Sequence, residues 1–393
     1  MMLPTAVVAG FIAVVVIGGA AAQGAASKQH SGVEHVAAIP IDASATTPTR
    51  STLLIAMGHL DDPSNTFWEV FLRSGDSTEW KLQTPPGVAS NGGLVLAAPS
   101  SGRLTVGFLV SADLKFSPVA QTSDGGDSWS AGALPFPLVA APNAIAVGST
   151  GEELALVSKA GQSILATSGN LSRWRTLTST HSLAHNASTC DLQAVTAVAF
   201  NAQSQPVLGL DCAHSGEIGI LAPLHSSSAQ QSGWRNIGPS ISDSEGSPSV
   251  IRLENTVNGL EGLAQIRAKD GLSLMAFWGQ GSTDQWSQST PLTVPSGWTV
   301  KATATGGGAG QGMAVLLGSG NRRQVEYVAG PATHWATLPN SPPGTSGVAW
   351  IGKEIDTFVA SGSRLGVWAS TPPQASWHLA VSITVPVPYG SSS

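Results

Sequence analysis

Short apolar runs alternate with Gly-, Ser- and Asn-rich breaks along almost the whole chain. Residues 143–149 (NAIAVGS), 153–159 (ELALVSK), 163–168 (SILATS) and 174–179 (WRTLTS) make one set of four. Runs of this length, alternating or clustered and bounded by turn residues, predict β-strands. The same pattern reads at 93–98, 103–111, 116–122 and 129–134. It returns at 299–305, 311–318, 323–329 and 335–338, and at 346–351, 354–360, 364–369 and 377–384. In the first set, 34–41 (EHVAAIPI) supplies an opening strand ahead of 52–58, 66–73 and 80–83.

Tryptophan opens the fourth run of each set. Trp80, Trp129, Trp174, Trp234, Trp286, Trp335 and Trp377 are spaced by 49, 45, 60, 52, 49 and 42 residues. A repeat of roughly 40–50 residues made only of strand signals predicts a β-propeller, one blade per repeat. The expected fold is therefore all-β, with seven four-stranded antiparallel blades over residues 34–386 and a frayed tail at 387–393. Innermost runs such as VTAVAF and SGVAWI are small and apolar, as strands crowded round a channel must be. The ring closes between the two ends of the chain, with 34–41 either in the first blade or zipped onto the last.

Composition sets the class. The chain has 393 residues, 11 % of them charged, with a formal charge of −6. That balance is too weak and too mixed to argue for a nucleic-acid partner, which needs a basic face, and none is expected. Residues 6–22 (AVVAGFIAVVVIGGAAA) form one uncharged apolar run ending in small residues. Residues 1–22 are therefore expected to be a signal peptide, or alternatively a single membrane anchor, with 23–33 as linker. Either places the rest of the chain outside the cytoplasm, secreted or in the cell envelope. Cys190 and Cys212 flank two runs, 192–200 and 206–211, joined by NAQSQ. Paired as a hairpin, those runs bring the two cysteines together, so a disulfide is expected.

One turn is specific. Residues 122–129 read TSDGGDSW and place Thr122, Asp124, Gly126 and Trp129 in the pattern Ser/Thr-x-Asp-x-Gly-x-x-Trp. The pattern resembles the Asp-box (BNR) repeats of sialidases, sortilin-type receptors and the photosystem II assembly factors. In that family the box is the hairpin between the third and fourth strands of a blade. Asp accepts bonds from turn amides, Gly permits φ > 0, and Trp packs between sheets. The copies at 74–80, 167–174, 281–286, 331–335 and 371–377 are degenerate. The resemblance implies the fold and a structural role for the box.

The resemblance to sialidases would imply three arginines, a Tyr–Glu nucleophile pair and an acidic general acid. The chain has two tyrosines, Tyr327 and Tyr389, and Tyr327 adjoins Glu326, which a strand turns to the opposite face. Other glycosidases need two carboxylates across a cleft. Asp61–Asp62 and Glu152–Glu153 qualify by proximity alone and fall in turn-like stretches, where solvated acids are expected. His181 and His185 have an i, i+4 spacing that suits a metal on a helix, but their segment reads as a solvated loop. No stretch matches a phosphate loop or a nucleophile elbow.

The expected function is a non-catalytic interaction scaffold, a monomer without cofactor or metal, with a protein partner or a glycan at the cell surface. The alternative is a carbohydrate-active protein, with Trp68, Trp278 and Trp298 as sugar platforms. The candidate binding face is the end of the ring carrying the turns between second and third strands. It includes Asp61, Asp62, Asp113, His181, His185, Asp191 and His214.

Overall fold

A computed structural model describes most of residues 39–384. Residues 1–38 and 385–393 lie outside it, as do short stretches such as 59–65, 86–94, 109–114, 187–189, 225–232 and 281–284. The first sheet holds β1 (Ile39–Thr47), β2 (Arg50–Gly58), β3 (Thr66–Ser74) and β4 (Lys81–Leu82). The second holds β5 (Val95–Ser100), β6 (Arg103–Phe108), β7 (Ser117–Thr122) and β8 (Ser130–Leu134). The third holds β9 (Ile145–Val147), β10 (Glu153–Lys159), β11 (Gln162–Ser168) and β12 (Arg175–Ser179), followed by the helix α1 (Thr180–Asn186).

A nine-stranded sheet comes next. Its first part is β13 (Leu192–Phe200), β14 (Pro206–Cys212), β15 (Ile220–Pro223) and β16 (Trp234–Asn236). Its second part is β17 (Ser247–Thr256), β18 (Gly259–Ala268), β19 (Gly271–Gly279), β20 (Trp286–Gln288) and β21 (Leu292–Val294). The two parts are joined by one pairing, Asp211 with Ser249. Two more four-stranded sheets complete the chain. One is β22 (Thr299–Thr305), β23 (Met313–Ser319), β24 (Arg322–Val328) and β25 (Ala336–Leu338). The other is β26 (Thr345–Ile351), β27 (Glu354–Ser361), β28 (Arg364–Ser370) and β29 (His378–Thr384).

The fold is all-β and propeller-like, with every sheet antiparallel. Six of the seven residues of β23 are buried, because neighbouring sheets cover it on each side. That is why MAVLLGS reads as a continuous apolar run and not as an alternation. Most expected strands appear within two residues of their positions. The opening strand does not: β1 begins at Ile39, so residues 34–38 fall outside the described residues. β1 pairs with β2, with Thr47 opposite Arg50, which anchors it in the first sheet. Among the described residues the last sheet is built wholly from residues 345–384.

The innermost strands touch in the order β22, β26, β1, β5, β9, β13 and β17, and the bonds of Arg252 to Thr303 O and of Thr305 to Glu254 join β17 to β22. Where isolated bridges join neighbours, at Asn143–Ala197 and Gly306–Trp350, they are parallel. The closing seam is an apolar cluster that joins Phe71 and Trp80 to Ala349, Ile351, Phe358, Leu365, Val367 and Ile383. Trp80 meets Phe358 edge to face at 5.9 Å, a contact worth about 1 kcal/mol beyond area burial.

The repeated tryptophans fasten successive repeats. Trp286 Nε1 donates to Ile237 O, Trp335 Nε1 to Thr290 O at 3.0 Å and Ser289 Oγ at 3.1 Å, and Trp377 Nε1 to Pro339 O at 3.1 Å. Each indole thus reaches back to the outer edge of the repeat before it. Trp174 Nε1 bonds instead within its own turn, to Leu171 O at 2.9 Å. Trp80, Trp129, Trp174, Trp335 and Trp377 stand just before an outermost strand, whereas Trp234 and Trp286 open one.

Candidate functional site

Antiparallel order places Cys190, Cys212 and the β14–β15 connection at one end of the ring. Cys190 and Cys212 form a disulfide with Cα atoms 5.2 Å apart. The reason is the β13–β14 hairpin, whose register sets Leu192 opposite Cys212. Gly219 is required there, since a Cβ on it would stand 2.5 Å from Cys212 Sγ and 3.1 Å from Cys190 Sγ.

The connection entering β13 corrects an expectation. It is not a plain loop but carries α1. Ser179 caps the helix, its Oγ accepting from the Ser182 amide at 3.2 Å, and Leu183 is buried beneath it. His181 and His185 therefore lie four positions apart within the helix, and His181 is exposed. Among the described residues no three His, Cys, Asp or Glu side chains group to hold a metal. Asp191 is exposed just before β13, where its carbonyl accepts from the Ala213 amide at 3.1 Å. Asp211 lies 3.7 Å from the Arg267 guanidinium. Asp61, Asp62, Asp113 and His214 lie outside the described residues.

The carboxylates with altered chemistry lie at the other end, near the turns joining first and second strands. Glu153 corrects the reading of a solvated pair with Glu152. Glu152 is exposed, but Glu153 opens β10 and is fully buried. Its Oε1 accepts from Thr105 Oγ1 and from Gln121 Nε2 at 2.8 Å, both on the preceding sheet. Burial pushes its pKa up to about 7.

Glu254 and Glu261 stand directly opposite each other on β17 and β18. Burial raises Glu261 to about 8, helped by the nearby Glu254 charge and opposed by a 2.9 Å bond from Thr256 Oγ1. Arg252 pairs with one Glu254 oxygen, and Thr305 donates to the other. Arg252 also donates to Thr303 O at 2.8 Å. Here both oxygens of Glu254 are taken and Glu261 is buried, so the group locks β17 to β22.

Glu326 is likewise consumed, by Thr337 Oγ1 at 2.9 Å and by Gln324. Its neighbour Tyr327 packs edge to face on Trp350 at 6.0 Å. The two point apart, so they form no nucleophile pair. Trp278 is buried at 2 % exposure and offers no platform to a sugar. Trp298 is half-buried with the Arg322 guanidinium 5.3 Å over its ring. Nothing is described of the Trp68 side chain.

The turn at 122–129 is fixed by its own side chains. Asp124 Oδ1 accepts from Thr122 Oγ1 at 2.7 Å and the Ser128 amide at 3.0 Å. Ser128 Oγ donates to its other oxygen, and these bonds hold the carboxyl well below the usual carboxylate range. A related arrangement recurs at Asn170, whose Oδ1 accepts from the Ser172 and Arg173 amides at 3.1 and 3.0 Å. Sequence comparison missed it because Asn170 is one position out of the motif's frame. A cavity of about 250 Å³ opens beside it, walled by Glu152, Arg173, Trp174 and Arg175. A second of about 340 Å³ lies on the closing seam, between Trp80 and Val381. No described helix is long and apolar enough to cross a membrane.

No protein-family model matches the chain, and no curated protein matches it. Solved structures do. A GH74 xyloglucanase from Xanthomonas campestris aligns with a TM-score of 0.59 at 14 % identity, over 88 % of this chain and 55 % of that one. A puromycin hydrolase aligns at 0.51 and 10 % identity, over 88 % and 54 %. A Lactobacillus plantarum protein aligns at 0.50 and 11 % identity, over 86 % and 97 %. The chain spans about half the length of the first two. At these identities the likeness shows the β-propeller fold alone.

Proposed function

We propose that this chain is an exported, non-catalytic β-propeller of the Asp-box type, acting as an interaction or assembly scaffold at the cell envelope or outside the cell. It has seven blades in this reading. The seven innermost strands in closed cyclic contact support that number. The nine-stranded sheet then counts as two blades linked at Asp211–Ser249. The bonding of Thr122, Asp124 and Gly126 supports the Asp-box assignment. The disulfide supports an oxidising compartment.

The observation that carries the non-catalytic reading is the use of the buried acids. Glu153, Glu254, Glu261, Glu326 and Asp356 each bond to a strand neighbour or an adjacent sheet. These bonds tie the acids into the ring. The binding end is the one braced by Cys190–Cys212 and α1.

The test is capture of the native partner. The tagged chain is crosslinked mildly in its host envelope and compared with a variant whose residues 180–188 are replaced by a short Gly/Ser turn. A discrete partner lost in that variant supports the scaffold reading. Turnover of a glycoside by the purified protein would overturn it in favour of a carbohydrate-active enzyme, the second reading that the GH74 likeness favours.

A further inference from the structure

Trp80 holds a donor without an acceptor at the point where the ring closes. Its side chain is buried, and among the described residues nothing accepts from Nε1. An orphaned buried donor costs about 1–3 kcal/mol. Trp129 and Trp278 have unpaired Nε1 atoms as well, but Trp80 also walls the cavity of about 340 Å³ on the closing seam. The rest of that wall is largely apolar, with Phe71 and Leu82 on the first sheet and Val381 and Ile383 on β29. Leu82 is among the few large apolar side chains left exposed.

Three other repeats show what takes this place. Trp286 Nε1 donates to Ile237 O, Trp335 Nε1 to Thr290 O and Trp377 Nε1 to Pro339 O. Ile237 is the first residue beyond β16, Thr290 the second beyond β20 and Pro339 the first beyond β25. Each indole therefore takes a carbonyl just past the outermost strand of the preceding repeat. Ring closure sets the last sheet before Trp80, so the strand in question there is β29. The first and second residues beyond β29 are Val385 and Pro386, outside the described residues.

The sequence that follows β29 fits the cavity in three ways. Thr384 is itself part of the wall, so Val385 begins about 3.8 Å away, one Cα step along the chain. β28 begins at Arg364, opposite Thr384, so residues from 385 onward run past the end of that strand. Residues 385–389 read VPVPY, apolar at every position, and Pro386 and Pro388 lack an amide while keeping a carbonyl. Proline-rich stretches of this kind favour extended backbone with free carbonyls, the form that docks in aromatic-lined grooves. We propose that residues 385–389 of the same chain occupy the seam cavity. The carbonyl of Val385 or Pro386 accepts from Trp80 Nε1, and the valines cover Phe71, Leu82 and Ile383. The chain leaving the last sheet thus straps that sheet to the first.

NMR of the full chain, labelled with nitrogen-15 at tryptophan, reads the Trp80 indole N–H directly, and Trp80→Phe identifies its signal by loss. Replacing residues 385–389 with Gly-Ser-Gly-Ser-Gly should move that signal. It should also speed its hydrogen exchange at least about tenfold, as loss of an ordinary bond to a buried donor requires. Ser391→Gly with Ser392→Gly should change neither. Adding the peptide Val-Pro-Val-Pro-Tyr-Gly to the Gly/Ser variant should return the signal toward its position in the parent. The exchanged residues lie beyond the last strand, and matching near-ultraviolet circular dichroism shows that the variants fold. Should the Gly/Ser variant fail that check, Val385→Asp with Val387→Asp gives the same reading with a smaller change. Identical signal and exchange in parent and variant overturn the proposal. Protection that rises with protein concentration also overturns it, since a second copy would then supply the segment. So does a Trp80 that is unprotected in the parent and becomes protected only when a proline-rich peptide is added.

Discussion

Arg73 Nη1 donates to Asp356 Oδ2 at 2.9 Å, although 283 positions separate the two residues. One belongs to the first sheet and the other to the last, so this ion pair sits on the seam where the ring closes. Arg73 Nε is used as well, by Ser77 O at 2.6 Å. Burial pushes the Asp356 carboxyl up, and the adjacent Arg73 charge pulls it back. Removing one partner strands a buried charge, which costs about 3–5 kcal/mol. Arg73→Ala should therefore lower the urea midpoint by that equivalent. Arg73→Met with Asp356→Leu should recover most of the loss. A midpoint for Arg73→Ala within error of the parent would show that the seam is held by the Phe71–Trp80–Phe358 cluster alone.

Glu153 and Glu261 make stability fall with rising pH. Both are neutral in the folded chain until about pH 7 and about pH 8, whereas the unfolded chain ionises them near 4.5. A raised folded pKa gives stability that is full below the unfolded value and is lost as pH climbs to the folded one. The thermal midpoint should thus be higher at pH 5 than at pH 8. Glu153→Gln and Glu261→Gln keep the hydrogen-bonding shape and should flatten the profile in that window. A profile equally steep in both variants would place its origin elsewhere.

The repeat was legible because tryptophan and the fourfold strand runs are local signals. The ring partners were not, since nothing local links Arg73 to Asp356 or Thr105 to Glu153. Acid pairs sought by adjacency pointed to Glu152–Glu153, where one member is solvated and the other buried. The true neighbours, Glu254 and Glu261, are seven positions apart and meet only through the β17–β18 register. α1 hid for a related reason: Ser179 is a cap only once Leu183 has a surface to bury against.

The disulfide braces the β13–β14 hairpin and closes a loop of 22 residues. On the chain-entropy model that contributes about 3 kcal/mol. Replacing both Cys190 and Cys212 with Ala should reduce unfolding free energy by that amount in non-reducing buffer. The parent should match the variant once dithiothreitol is added. Gly219→Ala should also destabilise the oxidised chain, because its methyl meets Cys212 Sγ and Leu210 Cβ. If Gly219→Ala is neutral when oxidised, the close packing behind the disulfide is not a constraint.

The turn at 122–129 fastens the second sheet to the first. Gly126 has φ +94°, and a Cβ there would lie 2.8 Å from Gln83 Cβ and 2.9 Å from Leu72 Cδ1. Its amide donates to Thr122 Oγ1 at 2.9 Å, so the conformation is tied down by the same residue that bonds Asp124. Gly126→Ala combines a left-handed backbone with a collision across sheets, and should cost more than about 1 kcal/mol. Asp124→Ala removes the acceptor of Ser128 and Thr122 but keeps the backbone allowed, so its loss should be smaller. Urea midpoints of the two variants give the ranking. A reversed order would mean that the turn is held chiefly by the Asp124 carboxylate, and that the first sheet yields readily at Gln83 and Leu72.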